Sequence, residues 1–328
     1  MRAWQVTALG EPVDVMRLAS DVATPAPGAG QVLVKVHAVA LNFPDVLMCR
    51  GLYQVRPPLP FTPGVELCGT VVAVGPDVTS PAVGDRVLGS PVGGGLAEFA
   101  LMSATDALPA PDALDDARAA AFHIAYQTGW FGLHRRAALK SGETLLVHAA
   151  AGGVGSAAVQ LGKASGARVI GVVGGPAKAA VATGLGADLV IDRRTDDIVA
   201  AVKGATAGRG ADVIYDPVGG DAFAKSTKCI AFEGRLLVIG FASGDIPSAV
   251  TSHALVKNYS VVGLHWGLYK QYDPKSIVDA HEALSKLAAD GVAVPLVSAV
   301  LPFDAAPEGL ASLAAGETTG RVVISVAG

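Results

Sequence analysis

Hydrophobic and polar positions in this chain fall into two textures. Between residues 144 and 266, short apolar runs alternate with segments whose apolar residues recur at helical spacing. The runs at 144–150, 168–173, 188–192, 212–218, 234–240 and 259–265 read as strands, and the segments at 154–166, 176–184, 196–203 and 221–230 as helices. Parallel strands buried on both faces carry near-continuous apolar residues, and each needs a crossover before the next. Six strands in this alternation predict an α/β doubly wound parallel sheet, for which the Rossmann order is 3-2-1-4-5-6. Its first unit reads TLLVHAAAGGVGSAAVQLGKASGARVIGVV: strand, glycine turn, helix, strand. Ala150 stands at the first position of a G-x-G-x-x-G fingerprint, and Gly152 and Gly155 at the other two. Glycines there let the backbone turn tightly and approach a ligand. The free N–H groups and positive end of the following helix then favour a pyrophosphate.

Residues 1–110 have the other texture. Strand signals at 31–38, 68–74, 85–88 and 97–101 are separated by Pro- and Gly-rich turns such as 24–30 and 54–63, which predicts a β-rich, barrel-like module. Helical texture begins at 115–125 and continues at 128–139. Further helices are expected at 248–257 and 275–290, and strands return at 295–301 and 321–326. The expected organisation is a discontinuous β-rich domain, 1–123 with 267–328, into which a dinucleotide-binding domain, 124–266, is inserted.

Composition narrows the partners. With 51% hydrophobic and 16% charged residues the chain can bury a large core. A mean hydropathy of +0.45 raises the question of a membrane span, but Gly, Pro or a charge interrupts each apolar stretch, so none reads as a spanning helix. A net charge of −4 without a dense Lys/Arg run speaks against nucleic acid or an anionic membrane. No signal-peptide core follows Met1. Cys49, Cys68 and Cys229 form neither a C-x-x-C nor a disulfide framework, as expected of a cytoplasmic chain.

The segments NFPDVLMCRGLY (42–53), PGVE (63–66), VGDRV (83–87), AAAGGVG (149–155), GRLLVIG (234–240) and VVGLHWG (261–267) occur in an order that resembles the medium-chain dehydrogenase/reductase superfamily. More narrowly, the chain resembles its zinc-free quinone oxidoreductase branch, which includes zeta-crystallin. The resemblance implies a GroES-like β domain that cups the substrate and a Rossmann domain that holds NAD(P)H, with the nicotinamide in the cleft between them. It also implies a homodimer built by pairing the edge strand 259–265 with its copy. Zinc alcohol dehydrogenases of the superfamily need Cys, His, Asp or Glu ligands. Here the His of their G-H-E motif is Val65, Asn42 stands in the first-ligand region, and Ile124 replaces the cysteine expected ahead of Thr128. The stretch GSPVGGGLAEFA is too short for a four-cysteine lobe. No zinc is expected, and reduction of a conjugated acceptor replaces alcohol oxidation as the expected chemistry.

An NAD site places Asp or Glu at the end of the second strand. Here that strand ends Val172-Val173-Gly174-Gly175, without an acid, and Lys178 and Arg193 follow. Either cation can meet a 2′-phosphate. In the resembling enzymes the Lys belongs to S-x-x-K, whose Ser is Gly175 here. The expected cofactor is NADPH, with no flavin. The expected cofactor contacts are Ala151, Gly152, Gly153, Val154 and Gly155 in the turn, then Gly174, Lys178 and Arg193, then Val218, Gly240, Phe241 and Ala242 after the fourth and fifth strands. The resemblance adds Thr128, at the start of a helix in Y-Q-T-G-W.

Asn42 and Tyr53 are the expected catalytic groups. An amide can donate to a substrate oxygen or the nicotinamide ribose, and a phenol to a developing oxyanion. Asp45 reads as a structural group of the same loop. Leu47 stands where the family often carries another Tyr. Arg50 and Arg56 flank Tyr53, either as solvated loop charges or as the cations a CoA thioester would need. The leading expectation is NADPH-dependent, zinc-independent reduction of a small electrophilic acceptor, a quinone, by hydride transfer. The alternatives are an enoyl reductase acting on a 2-alkenal or enoyl-CoA, and an NADPH-binding protein without turnover.

Overall fold

The computed structural model describes residues 1–326. The chain divides into two compact units, Met1–Ile124 together with the chain from Val294 onward, and Ala125–Ala293.

The first unit contains β1 (Ala3–Val6), β2 (Met16–Ala19), β3 (Gln31–Ala40), β4 (Leu67–Val74), β5 (Arg86–Gly89), β6 (Phe99–Ser103) and β7 (Leu108–Pro109). The second contains β8 (Thr144–Val147), β9 (Arg168–Val173), β10 (Leu189–Asp192), β11 (Ala211–Asp216), β12 (Ile230–Val238) and β13 (Ser260–Gly263). The chain then returns to the first unit as β14 (Val297–Pro302) and β15 (Arg321–Ser325). The large sheet of the first unit runs β14-β15-β3-β4-β5-β7, with β6 also paired to β3. Its core gathers Trp4, Val34, Leu67, Val71, Met102 and Ile324. β15 lies antiparallel to β3, with Val323 opposite Ala40, so the last strand of the chain borders the segment that begins at Asn42.

In the second unit the order is β10-β9-β8-β11-β12-β13, all parallel. This is the expected 3-2-1-4-5-6 arrangement. The apolar excess of the chain is spent here: Leu145, Leu146, Val147, Val169 and Ile170 are fully buried. No helix among the described residues is long and apolar enough to cross a membrane.

Several local expectations need correction. β8 stops at Val147, because Ala149 takes φ +50 and turns the backbone out of the strand. Further helices include Phe43–Cys49 and Ala306–Ala314. The first has Pro44 at its start and Asp45 in its first turn, a helix start signal inside what reads as a loop. The segment 128–139 is no single α-helix. An α-helix, His123–Trp130, continues as a π-helix over Phe131–Arg136. Thr128 therefore lies inside a helix rather than at its start, and cannot cap it.

The return expected at residue 267 comes instead at 294. Residues 267–293 belong with the second unit because their partners are there. The rings of Phe131 and Tyr269 lie 4.3 Å apart. Arg135 pairs with Asp273 at 2.7 Å, and Gln127 Nε2 donates to Ile277 O at 3.0 Å. The helix Pro274–Ala289 buries Ile277, Ala280, Leu284 and Ala288 along one stripe. Such a stripe must find an apolar face.

Candidate active site

The glycine turn of the second unit is built as its sequence suggests. The helix Gly153–Ala164 starts from Gly152, which supplies no capping side chain. Its first main-chain bond runs from Ser156 N to Gly152 O, at 2.8 Å. The N–H groups of Gly153, Val154 and Gly155 thus have no acceptor within the helix and sit at its positive end. A Cβ on Gly155 would stand 2.1 Å from Ala149 O and 2.7 Å from Ala149 C. This glycine is required because the helix packs directly on the turn, the part played by the third glycine of the fingerprint.

Gly174 and Gly175 follow β9, and Arg193 and Arg194 follow the neighbouring β10. A Cβ on Gly174 would stand 3.3 Å from Arg193 Nε, and one on Gly175, where φ is +99°, 3.0 Å from Arg194 Nη1. Asp192 ties the two loops together: its Oδ1 accepts from Gly175 N at 2.9 Å and from Arg194 N at 3.0 Å. Lys178 lies in the first turn of the helix Pro176–Gly184. Burial, then the charges of Arg193 and Arg194, hold its ammonium below the usual lysine range. Three cations therefore converge beside one acid whose carboxylate is partly spent on backbone N–H groups. An arrangement that repels itself when empty is suited to a dianion. Arg194 was not among the expected contacts, although the pair I-D-R-R signals it.

Val218 N and Gly219 N donate to Asp216 Oδ1 at 2.8 and 3.0 Å. Ala242 N donates to Pro217 O at 3.0 Å, and Ser243 Oγ to Val218 O at 2.7 Å. These bonds bring Val218, Gly240, Phe241 and Ala242 together after β11 and β12. The glycine turn, the cation cluster and these loops all follow the carboxyl ends of strands in one parallel sheet, the edge at which α/β sheets bind ligands. Thr128 comes from a helix instead and is buried.

In the first unit, four buried polar side chains form one network. Asn42 Nδ2 donates to Ala40 O and to Glu66 Oε2, both at 3.0 Å, and its Oδ1 accepts from Arg321 Nη1 at 2.9 Å. Only this amide orientation matches two acceptors and one donor. Arg321 Nη2 also donates to Glu66 Oε2, while Glu66 Oε1 accepts from Ile124 N at 2.6 Å. Burial pushes the Glu66 carboxyl up, against the pull of Arg321 and Asn42. Asp45 Oδ2 accepts from Asn42 N at 2.9 Å, and its Oδ1 from Gly64 N and Val65 N at 2.8 and 3.1 Å. Burial raises its carboxyl to about 6 despite those three donors. Asp45 is thus structural, as expected. Asn42 is placed differently from its expected role: both amide protons are already spent, so it has none to give a substrate. Glu66 and Arg321 were not among the expected site residues; PGVE (63–66) marks Glu66 locally, and no local signal marks Arg321.

Tyr53 follows the helix Phe43–Cys49 and is half-buried against the core. Its hydroxyl has no hydrogen-bond partner among the described residues. Burial, then the charge of Asp45, raises its phenol above the usual value. Arg50 is committed to Glu11 by two bonds of 2.8 Å, and Arg56 is exposed.

The donor set does not fit a zinc ion. Asn42 and Val65 stand at the expected ligand positions, and Glu66 is held by Arg321, Asn42 and Ile124. Cys49, Cys68 and Cys229 are buried apart from one another, and burial pushes the thiols of the first two up to about 12 and the third to about 11, as for inert thiols in apolar surroundings. Among the described residues no group of three or more His, Cys, Asp or Glu could hold a metal ion.

Comparison with known proteins agrees with this architecture. Residues 28–112 match the alcohol dehydrogenase GroES-like domain, and residues 153–294 the family described as zinc-binding dehydrogenase. The chain is 40% identical over 327 residues to a quinone oxidoreductase-like protein 2 homolog of Nematostella vectensis, covering 99% of this chain and 88% of that one. It is 32% identical to a mycobacterial protein solved with NADPH, with a TM-score of 0.93 over 99% of this chain and 100% of that one. The Escherichia coli quinone oxidoreductase complexed with NADPH is 30% identical, with a TM-score of 0.92 over 99% and 100%. With its GroES-like sheet, its 3-2-1-4-5-6 Rossmann sheet and Asn42, Val65 and Ile124 where the superfamily's zinc enzymes draw their ligands, this chain belongs to the zinc-free quinone oxidoreductase branch of the medium-chain dehydrogenase/reductase superfamily.

Proposed function

We propose that this protein is an NADPH-dependent reductase that transfers hydride to a quinone without zinc or flavin. NADPH supplies the hydride when bound. The N–H groups of Gly153, Val154 and Gly155, with Ala151 and Gly152 in the turn, would hold its pyrophosphate. Lys178, Arg193 and Arg194, beside Gly174, would hold the 2′-phosphate, with Val218, Gly240, Phe241, Ala242 and Thr128 as further contacts. The NADPH-bound relatives support this assignment.

The observation that carries the acceptor reading is the unpartnered phenol of Tyr53, which follows the helix that Asn42 opens, while the donors of Asn42 itself are spent. A phenol is protonated at neutral pH, and burial raises that of Tyr53 further, so it can donate to an oxygen that gains negative charge. Hydride brings both electrons, and a proton must also reach a quinone oxygen. Tyr53 Oη holds that proton and recovers one from solvent. A CoA thioester is less well served, because Glu11 already neutralises Arg50. The test is NADPH oxidation with a panel of quinones, 2-alkenals and enoyl-CoA thioesters. Quinones are expected to show the highest kcat/KM, and Tyr53→Phe to lower it about a hundredfold. Turnover of enoyl substrates alone would make the protein an enoyl reductase. Tight NADPH binding without turnover of any acceptor would leave a binding protein.

The assembly we infer is a homodimer along β13. Among the described residues this strand pairs only with β12, so its other edge is open there. Phe232 on β12, with Leu255 and Val256 just ahead of β13, are 70%, 76% and 80% exposed, an apolar surface of the kind that marks an interface. Sedimentation velocity should show a dimer, and Val261→Lys on β13 a monomer. A monomeric parent protein would remove this assignment.

A further inference from the structure

We propose that Arg321 is a positioning residue for acceptor reduction, fixing Asn42 and, through the helix Phe43–Cys49, the phenol of Tyr53. The proposal rests on the reading of Tyr53 given above. Arg321 enters from β15, the last strand, and is 5% exposed. Its hydrogen bonds go to Asn42 Oδ1 and Glu66 Oε2, and its buried Nε has no partner among the described residues. Asn42 in turn opens the helix, and Asp45 ties the helix start to Gly64 and Val65. At the far end, Gly51 N donates to Met48 O and Leu52 N to Leu47 O, so a closed turn delivers Tyr53. Arg50 and Glu11 hold that end from outside.

The network is poorly explained as a stabilising device. A buried ion pair with an orphan donor is often no more stable than an apolar pair of the same volume. What it does supply is geometry. A guanidinium presents two fixed donors to two acceptors, which a lysine ammonium, a single point of charge, cannot reproduce. Displacing a catalytic group by about 1 Å costs up to about a hundredfold in rate, so small slack at Asn42 would register at Tyr53.

The test is a double-mutant cycle on the full chain. Arg321→Lys should lower kcat/KM for the quinone about tenfold, with the NADPH Kd unchanged by fluorescence titration. In a Tyr53→Phe background the same replacement should lower it by no more than about twofold. Asn42→Ala, which leaves the ion pair in place, should show the same non-additivity and serves if Arg321→Lys does not fold. Equal losses in both backgrounds would overturn the proposal while leaving the Tyr53 reading intact. A weakened NADPH Kd that accounts for the loss would make Arg321 a cofactor contact instead. If Tyr53→Phe alone leaves quinone reduction unchanged, the reading of Tyr53 fails and the proposal with it.

Discussion

Replacing Glu66 by leucine should destabilise the first unit by about 3–5 kcal/mol, because it leaves the Arg321 charge buried without its counter-ion. The same change strips acceptors from Ile124 N and Asn42 Nδ2, and each buried donor left unpaired costs about 1–3 kcal/mol. The comparison that gives this number meaning is Lys275–Asp279, whose side chains are 81% and 57% exposed. Removing that pair should change stability by less than about 1 kcal/mol. Glu66→Leu combined with Arg321→Met should be less destabilised than Glu66→Leu alone, since no charge is then stranded. Urea unfolding followed by far-UV circular dichroism measures all three. A loss below about 1 kcal/mol in Glu66→Leu would show that solvent reaches the Arg321 guanidinium, contrary to its burial.

The second large effect is expected in cofactor choice. Replacing Lys178, Arg193 and Arg194 by alanine should raise the KM for NADPH at least about a hundredfold, since a hydrogen bond to a charged group is worth about 1.5–3 kcal/mol. The KM for NADH should move by less than about threefold. In the parent protein the KM for NADPH should climb with ionic strength, because Arg193 and Arg194 are exposed and salt screens them. Steady-state kinetics with both cofactors decide the matter. Equal use of NADPH and NADH, unchanged by the replacements, would remove the 2′-phosphate assignment.

Much of the second unit is legible in the sequence. Buried parallel strands are apolar on both faces, so β8, β9, β11 and β12 announce themselves as runs, and a helix must separate each from the next. Gly152 and Gly155 sit within one βαβ unit, so their roles depend on local backbone alone. Arg194 escapes notice there because a charged residue after a strand usually faces solvent; it is exposed, and only the pairing of β9 with β10 sets it beside Gly175. The boundary at 267 fails for another reason. The apolar stripe of the helix Pro274–Ala289 is local, but the face that receives it is made by Gln127 and other residues far back in the chain.

Asn42 marks the limit most clearly. Its sequence context shows a polar group in a promising place and says nothing of how many of its hydrogen bonds are taken. That number depends on Glu66, 24 residues away, and on Arg321, 279 residues away. By itself, the sequence determined the strand–helix alternation of the second unit, its glycine turn, the missing acid after the second strand and the absence of zinc-ligand residue types at the expected positions, because each rests on residue identity within a short span. The tertiary structure alone decided that Asn42 is held rather than free, that Tyr53 keeps the open hydroxyl, and that a third cation joins Lys178 and Arg193. Each of those depends on which side chains strand pairing brings within about 3 Å, the reach of a hydrogen bond.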